Sequence, residues 1–303
     1  MRPELRSRFI FGISLSLIFI GAVTHDIMRG SHLGALSLGL LGIIFASREM
    51  VKLTRSHAPH VQYAPMVVIS MALVAVANWQ QPISLPFQQM DGNPIQLRPE
   101  SFPAVMLILT IGMLWIVLSQ MFRHATEHFI SSVGATLLGI VYLGGSFHMM
   151  EQLALIETSE SAYRGTQLLL LFIATTKLGD VCAYFGGRAL GKNKMSPRIS
   201  PGKTWEGFAC SFIGSIGGAY LLTWSLSAIC DHDPFNGWWQ PAVWGLILGP
   251  LGVLGDLADS AIKRDAAVKD SGASIPGFGG VLDVLDAIMI GAPIAYLLAL
   301  ILP

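Results

Sequence analysis

The chain has 303 residues, 52% of them hydrophobic and only 13% charged, with a mean hydropathy of +0.58 and a formal net charge of zero. A soluble globular domain carries about 25% charged residues, so the composition excludes an ordinary soluble protein and argues for a polytopic membrane protein. Three cysteines without a CxxC pair (Cys182, Cys210, Cys230) exclude a zinc ribbon and a disulfide framework and read as structural thiols.

A membrane-spanning helix needs about 20 mainly apolar residues. In chain order such runs fall near 9–24, 33–47, 64–80, 103–122, 129–148, 165–187, 207–228, 241–262 and 285–302, which predicts an all-α polytopic protein of about nine transmembrane helices. The first run, behind the basic MRPELRSR, resembles a signal peptide, but the many later spans favour a retained first helix. With the N-terminus in the cytoplasm, inside segments hold 15 of the 19 Lys and Arg residues. The outside loops hold only Arg29, Arg98 and Arg164, and Lys177 lies within the sixth span. This asymmetry sets the N-terminus as cytoplasmic, and an odd number of spans places Pro303 on the far side. Residues 81–102, rich in Pro and Gln, are expected to be irregular. The outer loop 151–163 is acidic, with Glu151, Glu157 and Glu160, and Trp238 and Trp239 in loop 229–240 read as an interfacial belt. Gly34, Gly39 and Gly42, and likewise Gly214, Gly217 and Gly218, are expected to be packing faces. The chain divides into residues 1–160, with five spans, and residues 161–303, with four spans and two informative cytoplasmic segments.

The first segment is GDVCAYFGGRALGKNKMSPRISPGKTWEGF, residues 179–208. Its Pro-Gly-Lys-Thr is not a nucleotide-binding P-loop: Pro197 stands where the first glycine is required, and a membrane helix precedes it. The local chemistry still suits phosphate, with hydroxyls on Ser200 and Thr204 and a compact cation on Lys203. Ser200-Pro201 predicts a helix start, with Ser200 as N-cap, whose N–H groups favour anions. A capped helix with ordinary positive-inside lysines is the alternative. Asp180 follows Lys177 by three residues and shares its face, as a structural ion pair or as a substrate contact.

The second segment, residues 255–287, reads GDLADSAIKRDAAVKDSGASIPGFGGVLDVLDA. Ionisable residues at a membrane are costly, and a cluster of them is a functional-site hypothesis. Asp256, Asp259 and Lys263 fall on one helical stripe, and Asp283 and Asp286 stand at i and i+3 where the ninth span begins. Pro276-Gly277 and Gly279-Gly280 force an irregular turn between the two spans. The simplest arrangement turns these carboxylates towards one cavity, where they and the cations Lys263, Arg264 and Lys269 suit a metal ion with a polyphosphate. Hard oxygen donors without His or Cys select magnesium-like ions over zinc; His25, His57 and His148 lie at loop or span ends elsewhere. The alternative is a set of helix-end charges that satisfy dipoles and one another.

Together the segments resemble the phosphatidate cytidylyltransferase (CDP-diacylglycerol synthase) family. Its signature S-x-x-K-R-x4-K-D-x-G-x4-P-G-H-G-G-x-x-D-R-x-D is met by Ser260, Lys263, Arg264, Lys269, Asp270, Gly272, Pro276, Gly277, Gly279, Gly280, Asp283 and Asp286. An upstream family stretch matches from Asp180 through Gly207, so the resemblance covers residues 165–303. Phe278 replaces the family histidine and Val284 its arginine; the intact aspartates and S-P-G-K-T segment favour a divergent active branch over an altered or lost activity. The resemblance implies the reaction of CTP with phosphatidate to give CDP-diacylglycerol and pyrophosphate. It implies Asp256, Asp283 and Asp286 as a metal centre for Mg²⁺, alone or with a monovalent neighbour such as K⁺, and Lys203 as their catalytic companion. Ser200, Lys203 and Thr204 would contact phosphates; Pro201, Lys263, Arg264, Lys269, Asp270 and Asp180 would be further substrate-binding residues. CTP would arrive from the cytosol and phosphatidate from within a bacterial-type cytoplasmic membrane. No nucleic acid is expected as a partner, and close helix packing is compatible with a homodimer. Two other readings stay open at this point: a CTP-dependent kinase of a polyprenol or similar lipid, and an ion-coupled transporter.

Overall fold

The computed structural model describes residues 14, 17–19, 21–26, 33–78, 83–88, 94–97, 101–124, 126–156, 163–230, 232–272, 274–275 and 279–302. Its helices follow the apolar runs: Leu33–Thr54 (α1), Tyr63–Asn78 (α2), Ser101–His124 (α3), Phe129–Ala154 (α4), Arg164–Leu190 (α5), Trp205–Cys230 (α6), Gln240–Asp265 (α7), Val281–Met289 (α8) and Gly291–Ile301 (α9). Two antiparallel strand pairs interrupt them, Ile83–Gln88 (β1) with Pro94–Leu97 (β2) and Lys194–Ser196 (β3) with Ser200–Thr204 (β4). Among the described residues seven stretches are long and apolar enough to cross a membrane: α1, most of α3, α4, α5, α6, α7, and α8 with α9 as Val281–Ile301. The protein is an all-α integral membrane protein. These seven coincide with seven of the nine expected spans. The run expected at 64–80 is α2, whose 16 residues extend about 24 Å, against a hydrocarbon core of about 30 Å. Half of the run expected at 9–24 lies outside the described residues, and its later part falls within a shorter apolar helical stretch at Leu17–Asp26. The loop expected to be irregular over 81–102 instead carries β1 and β2, where apolar and polar residues alternate as Ile83-Ser84-Leu85 and Ile95-Gln96-Leu97.

The chain forms two compact units. The first comprises Met1–Gln152 and Asp265–Val284. Its core is aliphatic, with Ile43, Met50, Met66, Ile69, Leu73, Ile116, Ile140 and Leu143 buried between α1, α2, α3 and α4. A π-helical turn at Ile140–Gly145 lies within α4, and a Cβ on Gly144 would come within 2.7 Å of Ser70 Oγ on α2. Along α3, Phe102, Leu107, Ile111, Leu118 and Phe122 face outwards, as a helix solvated by lipid requires. Glu151, expected in an outer loop, is inside α4 and buried, where it accepts a hydrogen bond from Asn78 Nδ2 at 2.9 Å. The apolar run simply continues past it. Glu157 and Glu160 lie outside the described residues. His148 is also buried, with Nδ1 2.6 Å from the Leu73 carbonyl.

The second unit comprises Leu153–Arg264 and Leu285–Pro303. Its most intimate contact is between α5 and α6, where small residues let the backbones approach. A Cβ on Gly207 would lie 2.6 Å from the Ala183 carbonyl, and one on Gly214 2.8 Å from that of Leu178. Gly214 and Gly218 thus pack as expected, whereas Gly217 meets nothing. Buried Arg164 ties distant segments together: Nε donates to the Pro234 carbonyl at 3.1 Å and Nη2 to that of Leu302 at 2.7 Å. All three cysteines are free thiols.

Candidate active site

The segment around Ser200 is a hairpin, which corrects the expected helix start. Lys194 pairs with Thr204 and Ser196 with Ser200 across β3 and β4. Pro201, with no N–H to donate, is accommodated on an edge strand. Helix α6 begins only at Trp205, and its cap is Thr204, whose Oγ1 accepts the Gly207 N–H at 3.1 Å. The first turn of α6 then grips the hairpin. Glu206 accepts the backbone N–H groups of Lys192 and Asn193 at 3.1 and 3.2 Å and the Asn193 side-chain amide at 2.7 Å. The hydroxyl of Thr204 is therefore occupied as a cap, and the residue is buried. Ser200 is half-buried and Pro201 exposed.

Lys203 leaves the hairpin for α7. Its Nζ donates to the Val253 carbonyl at 2.6 Å and pairs with Asp256 Oδ2 at 3.0 Å. At the other end of the hairpin, Arg264 Nε donates to the Ile199 carbonyl at 3.2 Å. Two cations thus hold the S-P-G-K-T strand against the charged end of α7. Ser260 Oγ lies 3.4 Å from Asp256 Oδ1. Asp259, wholly buried, pairs with Lys263 at 2.5 Å, so this lysine is engaged within its own helix.

The same unit brings in the second span. Lys177 Nζ is 3.7 Å from Asp286 Oδ1, and the Ala287 N–H donates to that same carboxylate at 2.6 Å. Glycine makes this approach possible: a Cβ on Gly255 of α7 would sit 2.6 Å from the Asp286 carbonyl. Asp286 interacts electrostatically with Lys177, Asp256 and Asp259, and Asp180 with Lys177, Asp256 and Lys203. Lys177, Asp180, Lys203, Asp256 and Asp286 therefore form one mixed-charge group within the second unit. Asp256 is its most open acid, with 41% of its side chain exposed, whereas Asp286 retains 11%.

The remaining signature residues belong to the first unit. Lys269 and Asp270 are exposed. Asp283 Oδ2 accepts the Gly280 N–H at 2.7 Å and the Ser271 N–H at 3.1 Å. Beside it stands a residue that sequence reasoning missed. Glu49 of α1, buried, accepts the N–H groups of Val281 at 3.0 Å and Leu282 at 2.8 Å, and the Ser271 hydroxyl at 3.2 Å. The available signal was an acid within an apolar span. Phe278 lies outside the described residues, and Val284 is half-buried on α8.

Among the described residues no three His, Cys, Asp or Glu side chains stand together as a ready-made metal cage. The donor chemistry nevertheless fits a hard ion. Asp256 and Asp286 offer only oxygen, and magnesium takes one or two carboxylates and fills its shell with water and substrate phosphates.

Comparison with known proteins gives the family. A family model described as the cytidylyltransferase family matches residues 6–302. A Chlamydia pneumoniae protein named phosphatidate cytidylyltransferase is 34% identical over 196 residues, 63% of this chain and 62% of the relative. Proteins of the same name from Brucella suis and Haemophilus influenzae are each 36% identical, over 167 and 143 residues. Those alignments cover 55% and 47% of this chain and 57% and 49% of the relatives. The alignments thus span less than two thirds of these relatives' own lengths. With the family model matched from end to end, the chain belongs to the cytidylyltransferase family.

Proposed function

We propose that this protein transfers the cytidylyl group of CTP to phosphatidate, giving CDP-diacylglycerol and pyrophosphate. The observation that carries the reading is the mixed-charge group around Lys203 and Asp256 in a chain matched to the family over residues 6–302. A lipid phosphate oxygen attacks the α-phosphorus, a new P–O bond forms, and the bond to the β-phosphate breaks to release pyrophosphate. The phosphate monoester is already ionised at neutral pH, so no protein base is needed. Lys203 and Lys177, each beside an acid in this structure, are the cations that meet the transferring and departing phosphates. Asp256 and Asp286, with Asp283 on the strength of the signature alone, are the acids that would hold Mg²⁺, alone or with K⁺. Such an ion supplies charge neutralisation at the oxygens of the reacting phosphates.

Positioning follows from the local fold. The hairpin, fixed by Glu206 and Arg264, presents Ser200 and Lys203 to phosphates. Arg264 also neutralises negative charge nearby, and Lys263, buried with Asp259, sets the local field. Lys269 and Asp270, both exposed, are open to nucleotide. The charge asymmetry of the loops supports a cytoplasmic N-terminus and a site at the cytoplasmic face, where CTP is available and the lipid headgroup lies.

The test is direct. Purified protein with Mg²⁺, phosphatidate and labelled CTP should form a CDP-lipid. Asp256→Asn, Asp283→Asn and Asp286→Asn should each lose the product while expressing as folded protein. Full activity in the Asp256 or Asp286 variant would remove the assignment of that acid.

A further inference from the structure

We propose that Glu49, from the N-terminal part of the chain, is a positioning residue for the signature acid Asp283. The inference rests on the catalytic reading of the signature given above, and it concerns a residue outside the motif.

Glu49 is one of the few acids within the long apolar helices, and it is 2% exposed. Burying a carboxylate is costly unless hydrogen bonds replace its water. Here three donors do so, the N–H groups of Val281 and Leu282 and the hydroxyl of Ser271. Two of them are first-turn N–H groups of α8, which have no partner within the helix and carry its positive end. Glu49 therefore caps α8 from 232 residues away in sequence.

The cap reaches Asp283 through two shared neighbours. Ser271 gives its hydroxyl to Glu49 and its N–H to Asp283. Gly280 gives its N–H to Asp283, while its Cα faces the Glu49 carboxylate so closely that an added Cβ would collide with both Glu49 Oε2 and Ser271 Oγ. Glu49, Ser271, Gly280 and Asp283 thus form one network in which each bond fixes the next. The network also explains three signature glycines. A Cβ on Gly272 would lie 2.9 Å from Glu49 Oε1, and one on Gly279 would collide with Asp283 Oδ2. Gly279 also has φ +96°, a conformation that side chains disfavour. The close approach of each carboxylate to the backbone demands these glycines, and Glu49 adds two bonds to the first turn that bears Asp283, beside those Asp283 itself accepts from Ser271 and Gly280.

The experiment compares wild type with Glu49→Gln and Glu49→Ala, the full chain purified in detergent without metal. Hydrogen exchange at Ser271 and Gly280–Asp283 should accelerate at least tenfold in Glu49→Ala, with the amides of α2 and α3 unchanged. With Mg²⁺ and both substrates added, kcat per folded molecule should fall about 30-fold or more, while KM for CTP moves less than threefold. Glu49→Gln, which keeps an acceptor, should lie between. If Glu49→Ala is not recovered folded, Ser271→Ala removes one bond of the same network and should shift exchange and kcat in the same direction by a smaller factor. Unchanged exchange in the segment, or a kcat within twofold of wild type for the Glu49 variants, would overturn the proposal. Asp283→Asn is measured alongside: full activity there would remove the catalytic role of Asp283 and leave the exchange result to judge Glu49 alone.

Discussion

Replacing Lys203 with alanine separates catalytic from structural roles most cleanly. The ammonium makes two contacts, to the Val253 carbonyl at 2.6 Å and to Asp256 at 3.0 Å. Asp256 is 41% exposed, so the ion pair is screened by solvent and contributes about 1 kcal/mol or less to stability. The charge-assisted bond to Val253 adds about 1.5–3 kcal/mol. The fold should therefore survive, with an unfolding transition only modestly lowered. Catalysis should suffer far more. Removing one group that stabilises developing charge costs about 10²- to 10³-fold in kcat, roughly 3–4 kcal/mol. Lys203→Arg retains the charge, but its planar fork does not reproduce a point contact to two acceptors, and it should recover only part of the rate. The assay is CDP-lipid formation from labelled CTP, normalised to the folded fraction from size-exclusion chromatography. A double-mutant cycle with Asp256→Asn should be strongly non-additive, because the two residues act as a pair. A Lys203→Ala enzyme within threefold of wild type, or a loss matched by an equal loss of folded protein, would refute this reasoning.

Other outcomes follow from the packing and the donor set. Gly207→Ala places a methyl 2.6 Å from the Ala183 carbonyl and should destabilise the protein by about 1–3 kcal/mol, read as a lower thermal midpoint in detergent. Gly217→Ala meets open space and should be neutral, or stabilising by up to about 1 kcal/mol through helix propensity. Arg164→Ala removes buried bonds to Pro234 and Leu302 and should cost about 3 kcal/mol, with the activity of the surviving folded fraction little changed. Chelation with EDTA should abolish turnover and Mg²⁺ should restore it, whereas Zn²⁺ should not replace it in a site of oxygen donors.

The sequence carried the long elements because lipid imposes one length and one polarity on every spanning helix. Seven expected spans coincide with apolar helices of spanning length. The tight face of α6 was legible in Gly214 and Gly218, but Gly217 points elsewhere, since one residue along a helix turns the side chain by about 100°. The S-P-G-K-T segment is a paired strand rather than the helix start its sequence predicts. Ser-Pro is a good helix start locally, but pairing with Lys194–Ser196 outweighs it and moves the cap to Thr204. Glu49 is illegible in the sequence for a different reason. It sits beside Arg48 in a segment read for its positive charge, and its partners lie more than 220 residues away. Periodicity and spacing carry no information about a contact of that range; only the unsatisfied cost of an acid in an apolar helix hints at it.

The most direct test of the account follows the label of CTP. With phosphatidate, Mg²⁺ and purified protein, label at the α-phosphorus should enter the lipid fraction, and label at the γ-phosphorus should leave wholly as pyrophosphate, in equal molar amounts. γ-Label appearing in lipid together with free CDP would mean phosphoryl transfer instead and would contradict cytidylyl transfer at this site.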